Sequence, residues 1–299
     1  MAGASKYLDP ALLSRLQNME LVARCAVQGF FSGLHPSPFH GFSAEYSEHR
    51  QYEPGDELRF LDWKVFGRTN KLYIKQFRQD TNVPVYILLD SSKSMTFQGD
   101  GTTYSKLDYG RFLTAALTSL MLGQGDSVGL MVFADRILTR ISPRGRRTHL
   151  YAILTALERV RGEGQTRLTD VLHAFAETAT RRGIVILISD LLDDADDLAS
   201  GLSHLKYLQH DVIIFHTLDH LEIALDYQGL VQFEDLETGD RLRTYPESLK
   251  NTYQANVQAF LDDIEKSSGR KEIDYWLMDT SQTLDRAFMA YLGRRRRLM

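Results

Sequence analysis

Between residues 83 and 217, short apolar runs alternate with stretches whose apolar residues recur at helical spacing. Residues 83–90, 184–189 and 212–217 are continuous apolar runs, as expected of strands covered on both faces. Residues 127–134 and 137–141 give two more strands, separated by a turn at Asp135 and Arg136. Tyr109, Phe112, Leu113, Ala116, Leu117, Leu120 and Met121 mark one face of a helix. Leu150, Ile153, Leu154 and Leu157 mark a second, and Leu168, Val171, Leu172, Phe175 and Ala179 a third. Leu198, Leu202, Leu205 and Leu208 mark a fourth. Strands alternating with amphipathic helices predict an α/β domain: a doubly wound, mostly parallel sheet with helices on both faces. In such a sheet the ligand crevice lies beyond the carboxyl ends of the strands, at the switch point.

The flanks have a different texture. Leu12, Leu16, Met19, Ala23 and Val27 predict an N-terminal helix, and the Gly-, Pro- and His-bearing residues 33–41 read as loop. Residues 45–78 hold short strands, the clearest at 72–77. Downstream, residues 228–245 predict a hairpin turning at Thr238-Gly239-Asp240, followed by a helix over 246–266, a strand over 273–277 and a closing helix over 284–292. The expected organisation is a small N-terminal α+β subdomain (1–81), the main domain (82–225) and a C-terminal extension (226–299) packing on that domain.

Composition narrows the function. A chain of 299 residues, 43% hydrophobic and 25% charged, suits one large soluble domain or two small ones. A net charge of -4 gives no support to a nucleic-acid partner. The single cysteine, Cys25, cannot form an internal disulfide, which fits a reducing compartment. No stretch reaches the roughly 18 unbroken apolar residues of a membrane span, and the start lacks the order of a secretion signal. The expectation is a cytoplasmic protein with no membrane span. Arg294, Arg295, Arg296 and Arg297 read as a solvated tail, and the nine histidines show no metal-ligand spacing.

Asp90-Ser91-Ser92-Lys93-Ser94 directly follows the first strand of the main pattern. A carboxylate and two hydroxyls at alternate positions can turn toward one point. Such oxygens suit a hard cation such as Mg²⁺, whereas Zn²⁺ calls for His and Cys. Asp190 likewise follows the strand at 184–189, so the topology carries both aspartates to one edge. Gly164-Gln165-Thr166 forms a short loop before a helix. A plainer reading makes the Asp90 segment a strand-to-helix turn whose side chains cap backbone groups. Asp193, Asp194, Asp196 and Asp197 read as charge at the start of the next helix.

Asp90, Ser92 and Ser94, with Gly164-Gln165-Thr166 and Asp190, resemble the metal-ion-dependent adhesion site of von Willebrand factor A domains over residues 82 to about 220. Upstream, Arg50-Gln51-Tyr52, Gly55-Asp56, Arg59 and Asp62-Trp63, then residues 72–77, resemble domain-of-unknown-function family 58. Its members are von Willebrand factor A-like proteins commonly encoded beside MoxR-type AAA+ ATPases. The resemblance implies that Ser92 and Ser94 ligate Mg²⁺ (or Mn²⁺ or Ca²⁺) through their hydroxyls. Thr166 binds directly or through water, and Asp90 and Asp190 hold the coordinating waters and balance charge. One position is left for a carboxylate from a partner, a MoxR-type ATPase or a shared client. Neutral hydroxyls keep the cation electrophilic, so an external acid is strongly attracted. Lys93 departs from the glycine common at this position: near the cation it opposes metal binding, and pointing outward it faces an acidic partner. Arg50, Asp56, Arg59 and Asp62 read as ion pairs fastening the upstream strands, with Trp63 as a core anchor.

Three functional readings follow. The first is a non-catalytic, Mg²⁺-dependent interaction module with a chaperone-like role. The second is a metal-dependent hydrolase or phosphotransferase, which pairs a strand-end aspartate nucleophile with a carboxylate two residues on. Here that position is Ser92, and the chain has no phosphate-cradling Gly-Lys-Ser/Thr loop. The third is a scaffold without metal, in which Lys93 supplies the positive charge.

Overall fold

The apolar runs become neighbouring strands of one six-stranded sheet. The computed structural model describes residues 46–52, 61, 63–77, 84–123, 125–179, 181–193 and 195–282. Upstream lie β1 (Tyr46–Gln51), α1 (Trp63–Thr69) and β2 (Tyr73–Phe77), with β1 and β2 paired antiparallel. Then follow β3 (Pro84–Asp90), α2 (Lys106–Gly123), β4 (Ser127–Phe133), β5 (Ile137–Arg144), α3 (His149–Arg159) and α4 (Leu168–Thr178). The chain continues through β6 (Ile184–Ser189), α5 (Ala195–Tyr207), β7 (Asp211–Leu218) and α6 (His220–Ala224). It closes with β8 (Val231–Glu234), β9 (Arg241–Thr244), α7 (Pro246–Arg270) and β10 (Asp274–Asp279).

The sheet order is β10-β7-β6-β3-β4-β5. Every neighbouring pair is parallel except β4–β5, whose short connection permits only an antiparallel hairpin. From β3 the chain winds one way to β4 and β5, then returns to add β6, β7 and β10 on the other side. The switch point therefore lies between β3 and β6. This is the doubly wound, mostly parallel architecture expected from the alternation of strands and helices. The strand expected at 273–277 joins the main sheet, pairing along β7 from Asp274↔Ile213 to Asp279↔Leu218.

Strand alternation divides the core into two layers. Ile87 and Leu89, with Ile186 and Ile188, face α2 and α3 through Leu113, Leu117, Ile153 and Leu157. Leu88 and Leu187 face α4 and α5 through Leu172, Phe175, Leu198 and Leu202. Both faces of β3 and β6 are thus shielded, and their carboxyl ends run into the loops that carry residues 91–94 and Asp190. Among the described residues no helix is long and apolar enough to cross a membrane.

Trp63 does not anchor a core. It is 64% exposed and meets Phe66 edge-on at 6.1 Å. A seven-residue helix carrying polar neighbours leaves its ring on the surface. The helix over residues 12–27, the loop over 33–41 and the closing helix over 284–292 lie outside the described residues. So do Cys25, Asp56, Arg59, Asp62, the Arg294–Arg297 cluster and the side chain of Arg50.

The β4–β5 edge is held by an unusually close approach at Gly129. The ladder is irregular there, between Val128 and Leu130. A Cβ on Gly129 would lie 2.8 Å from the Ile141 carbonyl oxygen and 2.9 Å from Pro143 Cδ. Gly129→Ala therefore pushes β5 outward. We expect a loss of about 1–3 kcal/mol in urea unfolding, against the small gain usual for Gly→Ala in a regular strand; unchanged stability would show that the bulge absorbs the methyl group.

Candidate metal centre

The end of β3 is turned by hydrogen bonds from consecutive residues. Ser91 donates to the Phe133 carbonyl twice, from N at 2.7 Å and from Oγ at 2.9 Å. Asp90 is fully buried; its Oδ1 accepts from Ser92 N at 2.9 Å, an Asx-type turn. Its Oδ2 accepts from Ser189 Oγ at 2.6 Å, joining the ends of β3 and β6 across the switch point. This turn sets Ser92 Oγ and Ser94 Oγ 3.0 Å apart. Lys93 between them is right-handed helical (φ -63°), so no glycine is needed there. Its side chain is exposed, and it therefore supplies no charge to the interior of the site.

A second loop is clasped onto the first. Glu163 N donates to the Ser91 carbonyl at 2.9 Å, and Lys93 N donates to the Gly164 carbonyl at 3.2 Å. Gly164 takes φ +73°, a left-handed turn that favours glycine. Thr166 is buried just ahead of α4. It joins the first loop through this backbone clasp, while its side chain bonds elsewhere. Thr166 Oγ1 donates to Glu237 Oε1 at 3.1 Å, and Thr166 N donates to Glu237 Oε2 at 3.3 Å. Glu237 sits in the β8–β9 hairpin loop and was not expected at the site.

The β6 end carries the strongest charges. Asp190 is fully buried, and its Oδ2 accepts from Lys106 Nζ at 2.8 Å. The same ammonium, itself fully buried, donates to Glu222 Oε1 at 2.7 Å. Behind Asp190, His216 Nε2 lies 2.8 Å from its carbonyl oxygen and His216 Nδ1 lies 2.7 Å from the Tyr275 hydroxyl. A carbonyl only accepts, so Nε2 carries the proton and Nδ1 accepts from Tyr275. Leu191 is left-handed (φ 52°) and buried, its N–H held by Ser189 Oγ at 3.0 Å. A leucine persists in that conformation only where its surroundings fix it.

Burial, then the charge of Asp190, pushes the Asp90 carboxyl up to about 7 against the bonds from Ser189 and Ser92. Burial also pulls on Lys106, but the charges of Asp190 and Glu222 overcome it and hold the ammonium above its ordinary value. Burial, helped by the Lys106 charge, carries His216 down to about 4, despite its bond to Asp190. The centre thus encloses two aspartates and the largely shielded Glu222 around one lysine, an excess of negative charge away from water. A cation relieves such an excess. An octahedral Mg²⁺ with bonds of about 2.1 Å sets adjacent oxygens about 3 Å apart, and the Ser92 and Ser94 hydroxyls stand at 3.0 Å. Among the described residues no group of three or more His, Cys, Asp or Glu side chains is arranged to hold a metal. A metal here therefore depends on the hydroxyls. The residues fit Mg²⁺, with Ser92, Ser94 and Thr166 as candidate ligands and Asp90 and Asp190 behind them.

Several participants escaped the sequence reading. Asp219 and Glu222 form a capping box on α6, a signal present in Asp219-His220-Leu221-Glu222. Lys106 gave none, as one lysine at the start of a helix is unremarkable. Asp193, the first residue of the acidic run, also reaches a helix other than the one expected. Asp193 accepts from Leu168 N at 2.8 Å, so it serves the start of α4, the preceding helix. Asp194 and the side chains of Asp196 and Asp197 lie outside the described residues.

Two predictions follow from this charge arrangement in EDTA-treated protein. Asp90 binds its proton more tightly when folded than its unfolded value of 3.8 allows. Its stabilising contribution is complete below that value and lost as pH rises through about 7. His216 is the converse, its contribution complete above 6.5 and lost as pH falls toward about 4. Each slope is about 1.4 kcal/mol per pH unit, and they oppose one another between roughly pH 4.5 and 6.5. In that window Asp90→Asn should make urea stability climb more steeply with pH, and His216→Gln should make it fall; unaltered slopes would refute the assignment. Lys106→Met strands two carboxylates and should cost about 3–5 kcal/mol, with most of the loss absent when Asp190→Asn and Glu222→Gln are already present.

The family model described as "Protein of unknown function DUF58" matches residues 48–260. Uncharacterized proteins of Mycobacterium tuberculosis and Mycobacterium bovis are each 29% identical over 241 residues, covering 77% of this chain and 73% of theirs. Among solved structures, the conserved hypothetical protein BatB from Bacteroides thetaiotaomicron aligns with a TM-score of 0.45 at 16% identity, covering 72% of this chain and 99% of its own. The SpRpn10 VWA domain aligns with a TM-score of 0.43 at 13% identity, covering 70% and 94%. The family match takes in the whole upstream signature together with every residue of the candidate centre, and the chain belongs to the DUF58 family.

Proposed function

We propose that this protein is a non-catalytic, Mg²⁺-dependent protein-binding module that works with a MoxR-type AAA+ ATPase in chaperone-like assembly or remodelling of a client. The observation that carries the reading is a pair of neutral hydroxyls, Ser92 and Ser94, set at the switch point in front of two buried aspartates. A bound Mg²⁺ supplies a fixed positive charge with a coordination position open to an acid. The chain's own residues then orient that charge. Ser92 and Ser94 present oxygens at octahedral spacing, Asp90 and Asp190 compensate the charge from behind, and Lys106 keeps Asp190 in one rotamer. Because the forward ligands are uncharged, attraction for a partner's Glu or Asp is retained.

The hydrolase reading has less support. Asp90 is fully buried, and each of its oxygens already accepts a hydrogen bond, from Ser92 N and from Ser189 Oγ. A nucleophile needs an oxygen open to the reacting atom. The general-acid position two residues on is a serine engaged with Ser94. Lys93 as a substitute cation is disfavoured by its exposed side chain.

The test is capture of the MoxR-type ATPase of the same genome by the full chain, with Mg²⁺ or with EDTA, for the wild type and Ser92→Ala. We expect capture to fall at least tenfold with EDTA and with Ser92→Ala while urea stability stays within about 1 kcal/mol. Equal capture in all arms would remove the metal from the mechanism. Phosphoester turnover abolished by Asp90→Asn would replace binding with hydrolysis.

A further inference from the structure

The loop joining β8 and β9 is built to hold one carboxylate. Asp235 Oδ1 accepts from Glu237 N at 2.7 Å and from Thr238 N at 2.9 Å. Asp235 N donates to the Asp240 carbonyl at 2.9 Å, and Gly239 N donates to the Asp235 carbonyl at 2.8 Å. Gly239 takes φ +79°, completing the turn. So organised, the loop delivers Glu237 across 71 residues of sequence onto Thr166, whose N–H and hydroxyl both donate to it.

Glu237 and Ser94 line the same cavity, of about 490 Å³. Its other walls include Phe97, Leu192, Leu221, Phe233 and Leu236. The hairpin therefore spans a hollow, with Leu236 41% and Leu242 62% exposed. A two-stranded ribbon with so little packing beneath it is marginal by itself. Its described anchors are the Glu237–Thr166 clamp, the Tyr227–Phe233 edge contact at 5.3 Å and the bond from Gly229 N to Glu247 Oε1 at 2.8 Å.

We propose that Glu237 is an internal ligand of the metal centre: the chain's own acid fills the position that a partner's acid must take, and binding requires the hairpin loop to give way. This rests on the metal reading above. Glu237 has the chemistry required of the partner, a carboxylate approaching from solvent against the threonine that the centre contributes. It belongs to an element that can lift without disturbing the six-stranded sheet. With Glu237 in place the cation has its acid, and a competing carboxylate must displace a tethered one. The local concentration of a tethered group is in the millimolar range for short connections, so weak external acids are excluded and only a partner with further contacts succeeds. The apolar walls exposed beneath a lifted hairpin provide such contacts.

Mn²⁺ tests the proposal in the full chain, because water-proton relaxation counts the exchangeable waters on the bound ion. We expect the wild type to bind Mn²⁺ with few exchangeable waters and to be insensitive to millimolar glutarate. Glu237→Gln should bind Mn²⁺ three- to tenfold more weakly, show a relaxation enhancement raised by about one water, and lose that gain when glutarate is added. Glu237→Asp keeps the charge but shortens the reach, and should show the same added water. Ser92→Ala is the control for the metal reading. If Ser92→Ala loses Mn²⁺ while both Glu237 variants match the wild type in affinity, relaxation and glutarate response, the internal ligand is refuted and the metal site stands. If Ser92→Ala binds Mn²⁺ as the wild type does, or the wild type binds none, the metal reading falls and takes the internal ligand with it.

Discussion

Negative charge buried at the ends of β3 and β6 governs the architecture around it. Asp90 and Asp190 are carried out of water by strands whose two faces are fully covered. A buried carboxylate is tolerated only when charge and hydrogen bonds compensate it. The compensation comes from four directions: Ser189 and the Ser92 amide on Asp90, and Lys106 and the Leu192 amide on Asp190. Lys106 is drawn into the core by this demand, and Glu222 is drawn after it. The capping box of α6 places Glu222 against Lys106, and the left-handed Leu191 donates its N–H to the Ser189 hydroxyl that serves Asp90, so both attend the same small region of charge.

The same demand explains why the site is rigid behind and open in front. The rear is made of strand ends and short loops tied by backbone bonds, such as Glu163 to Ser91 and Lys93 to Gly164. Such a frame holds the hydroxyl pair through backbone bonds rather than through side-chain contacts alone. The front is a hairpin over a hollow, held by few contacts.

Much of this was legible in the chain itself. Continuous apolar runs and the 3.6-residue periodicity marked the strands and helices of the main domain, and the aspartates directly after two buried runs marked the shared edge of β3 and β6. Ser92 and Ser94 were readable as a pair because their hydroxyls lie two residues apart, and the turn after β3 sets them 3.0 Å from one another. Trp63 was misread because a large aromatic ring suggests a core position, whereas a seven-residue helix with polar neighbours leaves it exposed. Asp193 reaches the start of α4, which the sequence did not show, because a carboxylate can serve whichever N-terminus tertiary packing brings near.

Local pattern determined the fold class and the pairing of the Ser92 and Ser94 hydroxyls, since both are written in residues a few positions apart. Tertiary structure alone decided which charges meet. Lys106 lies 84 residues from Asp190, and Glu237 lies 71 residues from Thr166. Neither position has a periodicity or a motif to mark it. An ion pair across such a separation depends on where the sheet's winding order places α2 and the β8–β9 hairpin relative to β6 and α4, and winding order is a property of the packed whole.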